Sequence, residues 1–196
     1  RRPDPKLERQ RREADKADRA RRVTRARRIW AGALPVIAGD TVDRYLRGRG
    51  LEPPAAGWPP SIRSLPVASH PSGARFPALV AAACRWPGST PSAVQCLALD
   101  QATTGKADIV PVRWTHGVLA GAAVRVSPWK SGRRVAITEG VEDALAVALA
   151  VPDTAAWAVL GNSAKDLMLP SGAKIVLCLD GDPAGRSAAR AAAHIL

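Results

Sequence analysis

The sequence has 196 residues and a formal net charge of +12, which is enough chain for one core, or one compact domain with a smaller region packed against it. Its three cysteines (Cys84, Cys96, Cys178) are too scattered for a disulfide framework and have no zinc-ligand spacing, which favours a reducing, cytoplasmic setting. No apolar stretch approaches the roughly 20 residues of a membrane span, so we expect a soluble protein without a membrane partner.

The N-terminal arm, residues 1–35, carries most of the positive charge. Residues 1–28 hold 13 Lys and Arg against 5 Asp and Glu, a balance of +8. The stretch from Lys6 to Leu34 is rich in Arg, Ala, Glu and Lys and predicts a long helix with only its last turns buried. The surplus favours polyanions through counterion release, and a solvated, partly disordered tail is the simpler interpretation. The first residue is Arg rather than Met, which suggests a trimmed fragment.

Residues 36–130 are expected to form a smaller mixed α+β region with an antiparallel sheet. Val42, Tyr45 and Leu46 have helical spacing after a Gly-Asp-Thr cap, so they predict a short helix. Residues 52–75 are rich in Pro, Gly and Ser and indicate an irregular connection. Extended runs follow at 74–86, 93–100, 109–115 and 121–127, with a hairpin turn that bends at Gly105.

Residues 131–196 change to an alternating pattern. "RRVAITEG", "AAWAVLG" and "AKIVLCLDGD" predict strands, while "VEDALAVALA", "SAKDLM" and "PAGRSAARAAAHIL" predict helices. Alternating elements with nearly continuous apolar strands imply an α/β fold, whose parallel sheet is covered by helices on both faces. Functional groups are then expected at the carboxyl ends of the strands.

Carboxylates follow two of those strands. Asp180 and Asp182 point the same way in an extended segment, and Gly181 between them allows close backbone approach. Glu139 ends a buried-looking strand, where an unpaired carboxylate is costly. Oxygen-only ligands favour Mg²⁺ or Mn²⁺ over zinc. The simpler interpretation is that Asp182 caps a helix that begins at Pro183.

Two further acidic residues, Glu142 and Asp143, lie in the first turn of the predicted helix after Glu139. They form a secondary acidic pair whose simpler role is to stabilise the helix dipole.

These motifs resemble a known family. "ITEGVEDALA", followed by "LDGDPAGRSAA", is similar to the Toprim domain of bacterial-type DNA primases, type IA and II topoisomerases and some nucleases. The match spans about residues 133–196, and we expect the domain to be truncated at its C-terminus. A looser resemblance to plasmid- and phage-type primases runs through "YLRGRGL", "PALVA" and "GKA", and it makes 36–130 a primase-type N-terminal subdomain.

The resemblance implies template-directed nucleotidyl transfer on single-stranded DNA by a nucleotidyltransferase. It assigns Glu139, Asp180 and Asp182 to catalysis and to Mg²⁺ or Mn²⁺. Nucleoside triphosphates are the expected substrates, and a replicative helicase or an upstream zinc-binding domain is an expected partner. Basic residues are candidates for contacts with nucleotide or DNA: Lys106, Arg113, Arg125, Lys130, Arg133 and Arg134.

Other functions remain open from the sequence alone. A Toprim nuclease would use the same acidic residues to activate water. A nonenzymatic DNA-binding accessory domain would depend on the +8 arm. A topoisomerase needs a nucleophilic tyrosine, but the sole tyrosine, Tyr45, has the spacing of a packing residue.

Overall fold

The computed structural model describes residues 4–161 and 166–193. Within these residues the chain forms four α-helices and nine β-strands. In chain order they are α1 (Pro5–Gly32), β1 (Leu34–Pro35), α2 (Thr41–Gly48), β2 (Ile62–Ser69), β3 (Arg75–Arg85), β4 (Pro91–Ala98), β5 (Arg113–Gly117), β6 (Ala122–Arg125), β7 (Arg134–Thr138), α3 (Val141–Ala150), β8 (Ala155–Ala158), β9 (Lys174–Cys178) and α4 (Pro183–Ala193).

The long N-terminal helix is present as α1, and only its C-terminal part packs on the body. Ala26 is fully buried, and Trp30 lies beneath the guanidinium of Arg63 at 4.1 Å from its ring centre. Residues 9–22 are exposed all round. Apart from half-exposed Leu7, the larger apolar side chains lie in the last turns, which therefore have a surface to bury.

Helix α2 is also present, with Asp40 as its N-cap. The Asp40 side chain accepts from the backbone N–H of Asp43, and Val42, Tyr45 and Leu46 are buried in the core. The predicted spacing therefore identified the buried face of this helix.

The prediction of an irregular connection over 52–75 is wrong, because β2 lies inside it and pairs with β3. Buried Ile62 and Ser64 alternate with half-buried Arg63 and Leu65, which is the period of a strand. Pro66 obscured this pattern. It falls in a register shift between Leu65 and Ala68, where a residue without an N–H is tolerated.

The predicted hairpin of the second and third extended runs is present as β4 and β5, with a later start for β5. Asp100 N–H donates to the Gly105 carbonyl at 3.1 Å in the turn. The run 109–115 was expected to be a strand, but β5 covers Arg113–Gly117. Pro111 has no N–H to offer the ladder, so the strand begins after it.

One sheet connects the strands of the described residues. Its order is β1-β2-β3-β6-β8-β7-β9. Outside this order, β4 also pairs with β3, and β5 pairs with β4. Pairing is antiparallel from β1 to β6 and between β6 and β8, and it is parallel between β7 and both β8 and β9. The fold is therefore mixed α/β with an open sheet.

Alternate residues of β7 and β8 face two different clusters. Ala156 and Ala158 face the core that includes α3, while Val135, Ile137 and Trp157 face the other side. In the described residues that second side is packed by loop side chains such as Trp86, Trp129 and Leu169. The predicted helix "SAKDLM" and the end of the last predicted helix fall largely or partly outside the described residues.

No described helix combines the length and apolar character needed to cross a bilayer.

Candidate active site

The two acidic motifs meet at the carboxyl ends of β7 and β9. These strands pair in parallel with Thr138 opposite Cys178, so Glu139 and Asp180 follow at the same edge. The backbone N–H of Asp180 donates to Oε1 of Glu139 at 3.1 Å, across 41 residues of sequence. We call the edge that carries Glu139, Asp180 and Asp182 the acidic edge.

Asp182 caps helix α4, as the simpler interpretation of the sequence predicts. Its Oδ1 accepts from the backbone N–H of Gly185 at 2.7 Å, and Pro183 is the first residue of the helix. The guanidinium of Arg186 donates to the carbonyl of Gly181, which holds the connecting turn against the helix. The segment between β9 and α4 is therefore organised by the helix start.

Gly185 is required by close packing against Asp180. A Cβ at position 185 would overlap the Asp180 carbonyl oxygen and lie 3.0 Å from its nitrogen. Glycine costs about 1 kcal/mol relative to alanine inside a helix, so its presence in the first turn is explained by this contact. Sequence reasoning missed this residue, although a glycine in a helical turn was an available signal.

The carboxylates of the acidic edge are mostly free. Among the described residues the exposed Asp180 side chain has no hydrogen-bond or ion-pair partner. Glu139 and Asp182 each have one oxygen engaged with a backbone N–H and a second oxygen without a partner in the described part of the chain. Free carboxylate oxygens at one edge are a donor set for a cation.

This donor set fits an oxygen-preferring divalent ion such as Mg²⁺ or Mn²⁺, because every donor is a carboxylate. Within residues 4–161 and 166–193, no three His, Cys, Asp or Glu side chains converge closely enough to hold a metal. An ion shared with Asp180 would require Glu139 and Asp182 to exchange their backbone contacts or to turn their side chains.

Gly140 leaves room for the secondary acidic pair. A Cβ there would lie 2.9 Å from Oδ2 of Asp143 and 3.5 Å from Oε2 of Glu142. Both carboxylates thus lie over the N-terminal turn of α3, where negative charge is favourable. Asp143 is exposed and Glu142 is largely buried, so the two carboxylates differ in environment.

Glu142 joins α3 to the preceding region through a cluster that we call the junction: Glu142, Tyr45, Lys106 and Arg113. Its Oε1 accepts from Tyr45 Oη at 2.9 Å and from Arg113 Nη2 at 2.8 Å, and Lys106 Nζ lies 3.7 Å away. The structure thus brings two predicted basic residues to the first turn after the acidic edge.

The pKa values at the junction follow from burial and charge. Burial acts to raise the pKa of Glu142, but its own backbone N–H, Arg113, Tyr45 and Lys106 outweigh burial and lower it below the usual 4.5. Burial first, and then the charge of Glu142, raise the pKa of Tyr45 above its usual 10.0. Glu142 is therefore ionised and Tyr45 protonated at neutral pH. The hydrogen bond of Tyr45 was not foreseen from the sequence.

The other predicted basic residues lie elsewhere. Arg125 stands over the rings of Trp86 and Trp157 at 5.5 and 5.8 Å, and it donates to the carbonyl of Gly88. Three more of these basic residues lie at the amino end of β7, opposite the end that carries the carboxylates: Lys130, Arg133 and Arg134. Arg133 forms an ion pair with exposed Asp153 at 2.6 Å.

A basic groove, not foreseen from the sequence, lies at the same end of the strands as the acidic edge. The Leu160 N–H donates to the Glu139 carbonyl, β8 ends where antiparallel β6 begins, and Ala122 of β6 pairs with Arg85 at the end of β3. Arg85 is thus three strand spacings, about 14 Å, from β7. There α1 and the end of β3 enclose about 740 Å³, lined among others by Arg19, Arg27, Arg85 and Trp86.

Two guanidinium groups in this groove are held in place by the backbone. Arg27 Nε donates to the Pro91 carbonyl at 3.2 Å, and Arg85 Nε donates to the Ala120 carbonyl at 2.9 Å. Their terminal nitrogens have no partner in the described ranges. The groove therefore presents ordered cationic donors to a negatively charged ligand.

Two family models match successive parts of the chain. A family described as "Domain of unknown function (DUF7146)" matches residues 20–126, and a "Toprim domain" matches residues 134–196. The second match confirms the family resemblance inferred from "TEGVED" and "LDGDPAG". No curated protein matches the chain.

A solved structure, the primase fragment of the bacteriophage T7 primase-helicase protein, is similar with a TM-score of 0.46 and 17% identity. The alignment covers 84% of this chain and 66% of that chain, so this chain spans about two thirds of the fragment. Because the first family matches 20–126 of 196 residues, the chain belongs to the DUF7146 family and carries a Toprim domain after that region.

Proposed function

We propose that this protein is the catalytic core of a DNA primase, which uses Mg²⁺ or Mn²⁺ to synthesise short primers on single-stranded DNA in plasmid or phage replication. The observation that carries the proposal is the acidic edge, where Glu139 and the Asp180–Asp182 segment meet at the ends of neighbouring parallel strands. Toprim-type carboxylates in this arrangement suit metal-assisted phosphoryl chemistry.

Asp180 and Asp182 are the residues proposed to hold the metal, with Glu139 as a further ligand or a proton acceptor. The ion would neutralise charge on the triphosphate and the leaving pyrophosphate. Asp182 keeps its place through its cap on α4, and Gly185 keeps the Asp180 backbone against that helix. The chain's own contribution is thus to fix the backbone that presents these carboxylates.

The basic groove supports a path for a nucleic acid strand. Arg19 and Arg27 of α1 line it together with Arg85, so part of α1 borders the groove. A strand there would meet ordered guanidinium groups and then reach the acidic edge. The free part of α1 adds positive charge beyond the groove, which supports salt-dependent binding of a polyanion.

Partners follow from the same proposal: a single-stranded DNA template, nucleoside triphosphates, and a replicative helicase or an upstream zinc-binding domain, all in the cytoplasm. No specific contact favours the nuclease or the accessory domain, and both are outcomes of the test below.

The test is to incubate the full chain with single-stranded DNA, labelled ribo- and deoxynucleoside triphosphates, and Mg²⁺ or Mn²⁺, and to resolve the products by size. New short oligonucleotides that disappear in Asp180→Ala, but persist in the exposed-surface control Asp108→Ala, are the expected result. Shortened input DNA would point to a nuclease. Salt-sensitive DNA binding that survives Asp180→Ala, without any product, would point to an accessory domain.

A further inference from the structure

The carboxylate of Glu142 is the shared contact of three elements. One oxygen, Oε1, meets Tyr45 from α2, Arg113 from β5, and Lys106 from the bridge that follows β4. The Glu142 side chain is 13% exposed, whereas Lys106 and Arg113 are 34% and 40% exposed. The buried anion therefore holds two cations that remain open to solvent.

A role in the helix dipole does not account for this arrangement. An exposed carboxylate in the first turn suffices for that interaction, and Asp143 already supplies one. Burial of a carboxylate is costly unless partners compensate, and here three partners from distant parts of the sequence do so. The contacts of Glu142 thus fix the position of groups outside its own helix.

Those groups contact a residue that lies close to the acidic edge in the chain. Glu142 is three residues from Glu139, a length of chain that spans at most about 11 Å. Two cations against one carboxylate leave a surplus of one positive charge at the junction. Arg113 uses one of its five N–H donors on Glu142, and Lys106 has three donors to share, so both retain donors for a further anion.

We propose that Glu142 is a positioning residue: it holds Lys106 and Arg113 so that their free donors receive the phosphates of a nucleoside triphosphate at the acidic edge. The inference rests on the proposed function for the identity of the anion. Glu142 does not touch the nucleotide and acts only through the two cations. Tyr45 in turn holds Glu142, because its hydroxyl donates to the same oxygen.

The experiment measures equilibrium binding of a labelled nucleoside triphosphate to the full chain in Mn²⁺, with and without template, together with primer synthesis. Glu142→Gln is expected to weaken triphosphate binding about tenfold, the effect of about one charge-assisted hydrogen bond. KM for the triphosphate should rise by the same factor with kcat nearly unchanged. Glu142→Asp, which keeps the charge, should bind with intermediate affinity.

The matched control is Asp153→Asn. It also removes one carboxylate from an ion pair with an arginine, but Asp153 is 87% exposed and lies beyond the opposite end of β7. This variant should bind the triphosphate as the unmodified chain does. Circular dichroism and thermal unfolding are recorded for every variant.

The outcomes separate this inference from the proposed function. If the unmodified chain makes primers and Glu142→Gln binds triphosphate normally, the positioning role is overturned and the function stands. If the chain binds triphosphate with the expected dependence on Glu142 but makes no primer, the function is overturned and the positioning role stands. A chain that binds no triphosphate, or that unfolds with both Glu142 variants, overturns the positioning role.

Discussion

The carboxylates of the acidic edge and the one carboxylate of the junction differ in almost every physical respect, although Glu139 and Glu142 are three residues apart in sequence. At the acidic edge, Asp180 is exposed and without a partner in the described residues, and Glu139 and Asp182 contact only backbone N–H groups. At the junction, Glu142 is buried and held by three side chains. Asp180 has no described contact that a ligand would have to replace, while Glu142 is committed to contacts within the protein.

This contrast teaches that membership of one short motif does not assign a role to a carboxylate. Glu139 and Glu142 both belong to "TEGVED", and both carry negative charge near the start of α3. The two carboxylates differ in their hydrogen-bond and ion-pair partners, and we expect their roles to follow from those partners. Substitutions should therefore separate activity from stability when the acidic edge and the junction are compared.

The largest expected effect is on the acidic edge. Asp180→Ala should lower metal-dependent synthesis at least about 100-fold, because metal ions supply several kcal/mol of charge stabilisation. The free energy of unfolding should change by less than about 0.5 kcal/mol, since no described contact is lost. Primer yield and urea unfolding measure the two quantities. A clear loss of stability in Asp180→Ala would remove the contrast.

The next largest effect is expected on stability, from the close packing of Gly185 against the Asp180 backbone. Gly185→Ala should destabilise the protein by about 1–3 kcal/mol, because the new Cβ overlaps the Asp180 carbonyl and α4 or the turn must move. Gly181→Ala is the control, since a Cβ there meets nothing within 4 Å. Thermal unfolding compares the two variants, and equal stabilities would argue against the close packing. Weaker Mn²⁺ binding should accompany the loss in Gly185→Ala.

At the junction, Tyr45→Phe should cost about 1.5–3 kcal/mol of unfolding free energy, the net value of a hydrogen bond to a charged group. Since its partner is Glu142, the same change in a Glu142→Ala background should cost much less. Urea unfolding of the two single variants and the double variant gives the coupling energy. Additive losses would show that Tyr45 and Glu142 do not interact in solution.

A smaller effect is expected at alkaline pH. The raised pKa of Tyr45 means that the unfolded chain releases its proton near pH 10 while the folded chain keeps it, so stability is lost as pH rises above 10. Between pH 9 and pH 10.5 this amounts to about 0.8 kcal/mol, and Tyr45→Phe should lack it. Because the chain has one tyrosine, an ultraviolet titration follows Tyr45 alone. An ordinary pKa would contradict its burial against Glu142.

Acid should also lower the stability of the protein, through Glu142. The lowered pKa of Glu142 means that its contribution to stability is complete above about pH 4.5 and disappears as pH falls through the lower value of the folded protein. Glu142→Gln should therefore be less sensitive than the unmodified chain to acid below pH 4.5 in a thermal unfolding series. An identical acid response would argue that Glu142 is not held by its cations.

Much of the fold could be predicted from local sequence. Strand periodicity and caps located α1, α2, α3, β7, β8 and β9, because those signals act within a few residues. Strand β2 was missed, since Pro66 and the surrounding Ser and Pro residues dominate its composition, whereas its pairing with β3 depends on distant chain. The late start of β5 reflects Pro111, a signal that was present in the sequence.

The sequence by itself determined the Toprim motifs, the order of their elements, and the placement of Glu139 and Asp180 at strand ends. Only the tertiary structure decided which charged residues meet. Lys106 and Arg113 reach Glu142. Arg27 and Arg85 line a groove at the same end of the strands as the acidic edge. Arg133 and Arg134 lie at the other end of β7. The physical reason is that motifs are encoded locally, whereas ion pairs between distant segments depend on sheet order and register.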